Sequence, residues 1–150
     1  TLDVLMFQFS LADVDNVARQ IPSLKILINH VAGANIEGKQ ADSEWAKGVR
    51  QVAENPNVHC KISGLFQQSH RRPSPKDLAF YSSELDVLWE AFGEDRLIYG
   101  SNWPVTRHGG TYDEYLDIIK AYFGPKGRSA QEKLFYRNSL KFYGLPSLKM

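Results

Sequence analysis

Two hydrophobic rhythms alternate along the chain. Short, nearly continuous apolar runs give way to polar or glycine-containing loops, and these to stretches whose apolar residues recur every three or four positions. The runs Leu2–Phe9, Leu24–Val31, Val58–Leu65 and Leu97–Ser101 read as strands. Apolar runs of this kind suit strands covered on both faces. The helical stretches carry Val14, Val17, Ala18 and Ile21 after the first run, and Trp45, Val49, Val52 and Ala53 after the second. Leu78, Tyr81, Leu85, Leu88 and Phe92 follow the third. Two helices follow the fourth, one with Tyr115, Ile118, Ile119 and Tyr122 and one with Leu134, Phe135 and Leu140. Strands alternating with amphipathic helices predict an α/β architecture with parallel strands.

Boundary residues sharpen these elements. Ser10 with Asp13, Thr111 with Glu114, and Ser129 with Glu132 have capping-box spacing. Asp42 is placed to cap the second helix, and Ser74, with Pro75 at the first helical position, the third. Pro22, Gly93, Gly124-Pro125 and Gly144 mark helix ends, and Asn55-Pro56-Asn57 a turn. Phe66–Pro73 reads as a long polar loop.

Composition narrows the function classes. The 150 residues suffice for one domain, and no linker or repeat divides them. A net charge of +1 lacks the basic excess of a nucleic-acid binder. No apolar run reaches the ~20 residues of a membrane span, so no membrane partner is expected. The single cysteine, Cys60, excludes an intrachain disulfide and fits a reducing, cytoplasmic compartment. An apolar run directly after Thr1 reads as a chain cut from something longer.

In parallel α/β folds the strand-to-helix loops build the active site. His30 ends the second strand, where an imidazole can bind a metal, act as a base, or simply be hydrogen-bonded. In the third strand His59, Lys61 and Ser63 alternate with Val58, Cys60 and Ile62. The apolar set should face the helices, with Cys60 as a small filler, and the polar set an interior. A lysine aimed inward serves an anion or pairs with a buried acid. Gly100-Ser101-Asn102-Trp103-Pro104 leaves the fourth strand abruptly, and Trp103 is either a flat substrate wall or a packing corner. His108 lies in a polar loop that can reach an active-site mouth; His70, Arg71 and Arg72 read as a solvated loop.

Together these segments resemble the amidohydrolase-2 family, in its sugar-lactonase (L-fuconolactonase-like) and 2-pyrone-4,6-dicarboxylate lactonase branch. The matching segments are the strand Leu24–Gly33 ending in a histidine, Trp45 followed by Asn55–Leu65 (NPNVHCKISGL), Arg96–Val105 (RLIYGSNWPV), and the closing helix Phe135–Leu145. The resemblance implies the C-terminal half of a TIM-type (β/α)8 barrel over residues 1–150, with the N-terminal half and its His-x-His strand absent. An isolated half exposes two sheet edges, so it should associate with a complementary half or with a second copy as a homo-oligomer.

The implied activity is opening of a sugar-acid or related lactone by water attack on the ring carbonyl. A lactone or carboxylic acid is the small-molecule partner, and the isolated chain should be inactive. His30, Lys61 and Asn102 take the catalytic positions; Ser63, Trp103 and His108 are substrate-contact candidates. His30 is also the metal ligand if a divalent ion such as zinc is bound; a metal-free site is the other expectation. The family pattern has an acid where Asn102 stands, so water activation lacks its usual agent. Alternatives are a metal-dependent decarboxylase or amide hydrolase on the same barrel, or a catalytically dead barrel that binds a carbohydrate acid.

Overall fold

The computed structural model describes residues 1–146. Four parallel strands, β1 (Leu2–Val4), β2 (Ile26–Ile28), β3 (Val58–Ile62) and β4 (Leu97–Tyr99), pair in sequence order. Leu2 stands opposite Ile26, Ile26 opposite Val58, and Cys60 opposite Leu97. Helices α1 (Leu11–Gln20) and α2 (Ser43–Ala53) follow β1 and β2. The short α3 (Leu65–Gln68) and then α4 (Ser82–Phe92) follow β3. After β4 come α5 (Tyr112–Phe123) and α6 (Arg128–Glu132), the latter passing through a π-helical stretch, Lys133–Arg137, into α7 (Asn138–Tyr143). This is the predicted α/β order, with every strand shorter than its apolar run.

The differences have local causes. Leu5, Phe7 and Phe9 leave the sheet after Val4 and are exposed, because no strand lies beyond β1 among the described residues. Ser10 makes no capping bond. Ser74 is buried with its hydroxyl on the Phe66 carbonyl, so it caps nothing; α4 begins at Ser82, and Asp77 instead caps the one-turn 3-10 segment Leu78–Phe80. Gly127, not Ser129, precedes α6, and Glu132 is taken by Arg128 at 2.8 Å. The Asp42 cap (2.8 Å to Trp45 N) and both halves of the Thr111–Glu114 box form as read. The predicted loop Phe66–Pro73 opens in the helical turn α3 and is tied down by Arg72, which donates to the carbonyls of Phe66, Ser69 and Arg71.

The main core lies between the sheet and the helices. Val58, Cys60 and Ile62 face it fully buried, as do Leu85, Leu88, Tyr115 and Ile119. Burial pushes the Cys60 thiol up to about 12, consistent with an inert filler. Asp15 of α1 is buried, yet accepts hydrogen bonds from Gln51, Arg19 and Asn55. Burial alone would raise its carboxyl; these bonds outweigh it and hold the group below its ordinary value.

The other face of the sheet carries Asp3, Leu27, His59, Lys61 and Ile98. At the N-terminal ends of the strands α7 folds under this face. Phe142 closes over Leu27 and Ile98 and meets the His59 ring edge-on at 4.9 Å. Asn138 anchors the helix by donating to the Glu94 and Leu97 carbonyls, both at 2.8 Å.

His59 generates a pH prediction. Burial, with Arg96 nearby, depresses its imidazole from 6.5 to about 4. The unfolded chain therefore binds a proton that the folded chain refuses, and stability falls as pH drops from about 6.5 toward 4. Replacing His59 by Gln should flatten that limb of the stability–pH profile. Urea unfolding at pH 7 and pH 4.5 reads it; an unchanged slope refutes the assignment.

Candidate active site

The C-terminal ends of β2, β3 and β4 meet at an open cleft of about 350 Å³, lined by His30, Lys61, Ser63, Tyr99, Gly100 and Asn102 among others. The cleft sits where loops of a parallel α/β fold collect functional groups.

His30 is held by an unusual backbone. β2 ends at Ile28, not Val31, because His30, Val31 and Ala32 take positive φ of 52°, 46° and 52°, and Gly33 continues at 65°. A non-glycine residue pays about 1–2 kcal/mol there. The turn is secured by burial of Val31 and Ala32 and by the Trp45 indole N–H, which donates to the Ala32 carbonyl (3.1 Å). Glycine is required at position 33, since a Cβ would lie 2.9 Å from both Gln8 N and Met6 O. The turn directs the His30 imidazole at Ser63: Nδ1 is 2.8 Å from Oγ, and the His30 backbone N–H donates to the same oxygen at 3.2 Å. Burial, reinforced by the Lys61 charge, holds the imidazole below its ordinary pKa and so favours its neutral form.

Lys61 is paired with an acid, though an exposed one rather than the buried acid expected. Its Nζ donates to Asp3 Oδ2 at 3.0 Å, and the Tyr143 hydroxyl donates to the same oxygen at 2.8 Å. The cation is therefore paired yet still borders the cleft. Gly100 leaves room for it, because a Cβ there would press on Lys61 Cδ and Ser63 Cβ at 3.1 Å.

Asn102, at φ 52°, donates from Nδ2 to Gln67 Oε1 at 3.1 Å. Gln67 is oriented in turn by donating to the Val105 carbonyl at 2.9 Å. The relay leaves Asn102 Oδ1 as an acceptor for water or substrate.

His30, Lys61, Ser63 and Asn102 are thus brought together. Trp103 and His108 are not: Trp103 is 52% exposed and packs edge-on against Tyr112, and His108 is exposed at the end of the Val105–His108 turn. Asp3, Gln67 and Tyr143 were missed by sequence reasoning; only the inward lysine's need for an acid pointed toward one of them.

The fit to a metal is poor within this chain. No group of three or more His, Cys, Asp or Glu side chains able to hold an ion occurs among the described residues. The cleft offers one imidazole beside an ammonium, which repels cations, and a carboxamide, which is a weak ligand. A divalent ion here would need its main ligands from outside residues 1–146.

Gly64, at φ 70°, lies under His30: a Cβ would stand 3.0 Å from Nδ1 and 3.1 Å from Cγ. Gly64→Ala should displace the imidazole from Ser63 and destabilise the fold by more than about 1 kcal/mol. NMR of the His30 ring with urea unfolding tests both; a variant with unchanged ring resonances refutes the close fit.

Comparison with known proteins extends this geometry. Residues 1–145 match the family model described as amidohydrolase. An L-fucono-1,5-lactonase from Burkholderia ambifaria is 34% identical over 133 residues, 84% of this chain and 43% of the lactonase. An L-fucono-1,5-lactonase from Burkholderia multivorans is 28% identical over 96% of this chain and 51% of its own length. A crystal structure of a Burkholderia multivorans amidohydrolase with bound zinc superposes at a TM-score of 0.88, with 29% identity over 97% of this chain and 53% of that one. The chain thus spans about half the length of the curated relatives it matches. Its four parallel strands are half of a TIM-type barrel. The chain belongs to the amidohydrolase family, and the relatives it matches include proteins named as L-fucono-1,5-lactonases.

Proposed function

We propose that residues 1–150 form the C-terminal half of a barrel enzyme that opens a sugar-acid lactone, or a related cyclic ester of a carboxylic acid, with water. The observation that carries this reading is the meeting of a neutral imidazole, an ammonium and an amide oxygen in one cleft. Lactone hydrolysis needs stabilisation of negative charge on the carbonyl oxygen and placement of the attacking water. His30 polarises the carbonyl, and Lys61 supplies charge to the oxyanion that forms. Asn102 Oδ1 accepts a hydrogen bond from the attacking water. The ring C–O bond then breaks and the departing ring oxygen takes up the proton lost by the water, giving the hydroxy acid. A carboxamide cannot take the water's proton, so the general base is another residue or comes from the complementary half.

The open β1 edge supports this division. Leu2, Val4, Leu5, Met6, Phe7 and Val17 line an apolar groove of about 380 Å³ beside it. Leu5 and Phe7 are 75% and 72% exposed, a poor arrangement for a surface that stays in water. A further strand–helix layer would cover both groove and edge.

A second reading rests on Asn102 alone. Without an acid at this position the barrel could bind a carbohydrate acid and leave it unchanged; tight binding with no turnover of any lactone would favour it.

Three outcomes test the proposal. The parent protein should hydrolyse sugar-acid lactones, whereas the 150-residue chain alone should not and should regain activity with its complementary half. Turnover by the isolated chain overturns that division. In the active protein Lys61→Met should lower kcat by about 10²–10³, with a smaller change in KM; an unaltered kcat removes Lys61 from the mechanism. Asn102→Asp combined with Gln67→Met, which removes the opposing amide oxygen, should raise turnover or metal affinity. No change in either would place position 102 outside the active centre.

A further inference from the structure

Ser63 is 1% exposed, and its hydroxyl oxygen lies within hydrogen-bond reach of two His30 nitrogens, the backbone N at 3.2 Å and Nδ1 at 2.8 Å. The two contacts differ in kind. A backbone N–H can only donate, so it occupies a lone pair on Oγ. A neutral imidazole nitrogen can either donate or accept. The hydroxyl has one proton of its own to place, and no other hydrogen-bond partner of Ser63 Oγ occurs among the described residues. If Nδ1 carried the ring proton, Oγ would accept twice and its own proton would be buried without an acceptor, an arrangement that folded chains avoid. If Nδ1 is bare, every polar atom in the pair is satisfied.

We infer that Ser63 fixes His30 as the neutral Nε2–H tautomer, so that the ring nitrogen left to the cleft is a hydrogen-bond donor rather than a base or a metal ligand. Ser63 is then a positioning residue, acting on substrate through His30. The inference rests on the reading of His30 as the group that polarises the lactone carbonyl, and it settles which nitrogen does so and in which form. Three features support the arrangement. Gly64 holds the ring face without a side chain, the left-handed turn aims Nδ1 at Oγ, and Gly100 leaves space for the Ser63 Cβ. Burial and the Lys61 charge disfavour the charged ring.

The experiment needs no turnover. Long-range ¹H–¹⁵N correlation spectra of the labelled chain near pH 7.5, with His30 assigned by His30→Gln, report the protonation of each ring nitrogen. The expected result is Nδ1 at the downfield position of a bare nitrogen and Nε2 at the upfield position of a protonated one. Ser63→Ala should move both toward the averaged positions of a mixed tautomer, and Ser63→Thr, which keeps the hydroxyl, should restore them. A protonated Nδ1 in the wild-type chain, or a folded Ser63→Ala chain with an unmoved His30 pattern, overturns the inference. If Ser63→Ala does not fold, the wild-type and Ser63→Thr spectra still decide it. A protein that shows the expected tautomer but hydrolyses no lactone would refute the proposed reaction and leave this assignment standing.

Discussion

The hydrogen-bonded seam between His30 and Ser63 joins the ends of β2 and β3, and the rest of the cleft is arranged around it. Making it requires the chain to leave β2 through three consecutive non-glycine residues with positive φ. At about 1–2 kcal/mol each this is a substantial local cost, most of all for β-branched Val31. The cost is met by the surroundings: two buried side chains, one indole hydrogen bond and a close backbone approach at Gly33. Strain of this kind persists only where neighbouring structure over-determines it. Here it places one imidazole edge against one buried hydroxyl.

The polar face of the sheet shows the same economy. Lys61 lies on the sheet face opposite the main core and is only 20% exposed, so an unpaired ammonium there would be costly. Asp3 lies on β1, two strands away, and its carboxylate gathers both Lys61 and the Tyr143 hydroxyl. That links the first strand, the third strand and the last helix through one oxygen. Because α7 is also held at Asn138, and Phe142 caps Leu27 and Ile98, the C-terminal helix closes the base of this face while the cleft opens at its top.

What could be read from the sequence follows the range of each interaction. The alternation in Val58–Ile62, the Asp42 cap and the Thr111–Glu114 box depend on residues a few positions apart, and all three appear in the structure. The strands stop short of their apolar runs because hydrophobicity continues past the point where pairing stops: Leu5–Phe9 looks like strand but lacks a neighbour, and His30-Val31 turns left-handed. Nothing in the residue types of Val31 and Ala32 signals positive φ. His30, Lys61 and Asn102 stood out because each ends or punctuates an apolar run. Asp3 and Gln67 did not, since their roles come from contacts 58 and 35 positions away.

Asn102 is the sharpest case of meaning supplied by a partner. Considered alone it is an acid lost from a hydrolase site. In the structure its amide nitrogen has a dedicated acceptor, Gln67 Oε1, and the Gln67 amide is fixed by the Val105 carbonyl. A carboxylate at position 102 would set oxygen against oxygen, and Gln67 could turn its amide to meet it only by giving up Val105. The surroundings are therefore built for a carboxamide, with its oxygen left toward the cleft. In the proposed reaction such a site orients water without taking its proton, while His30 and Lys61 attend to the carbonyl. If the base comes from strands that complete the barrel, as proposed, the open apolar edge at β1 is where those strands would begin to pack.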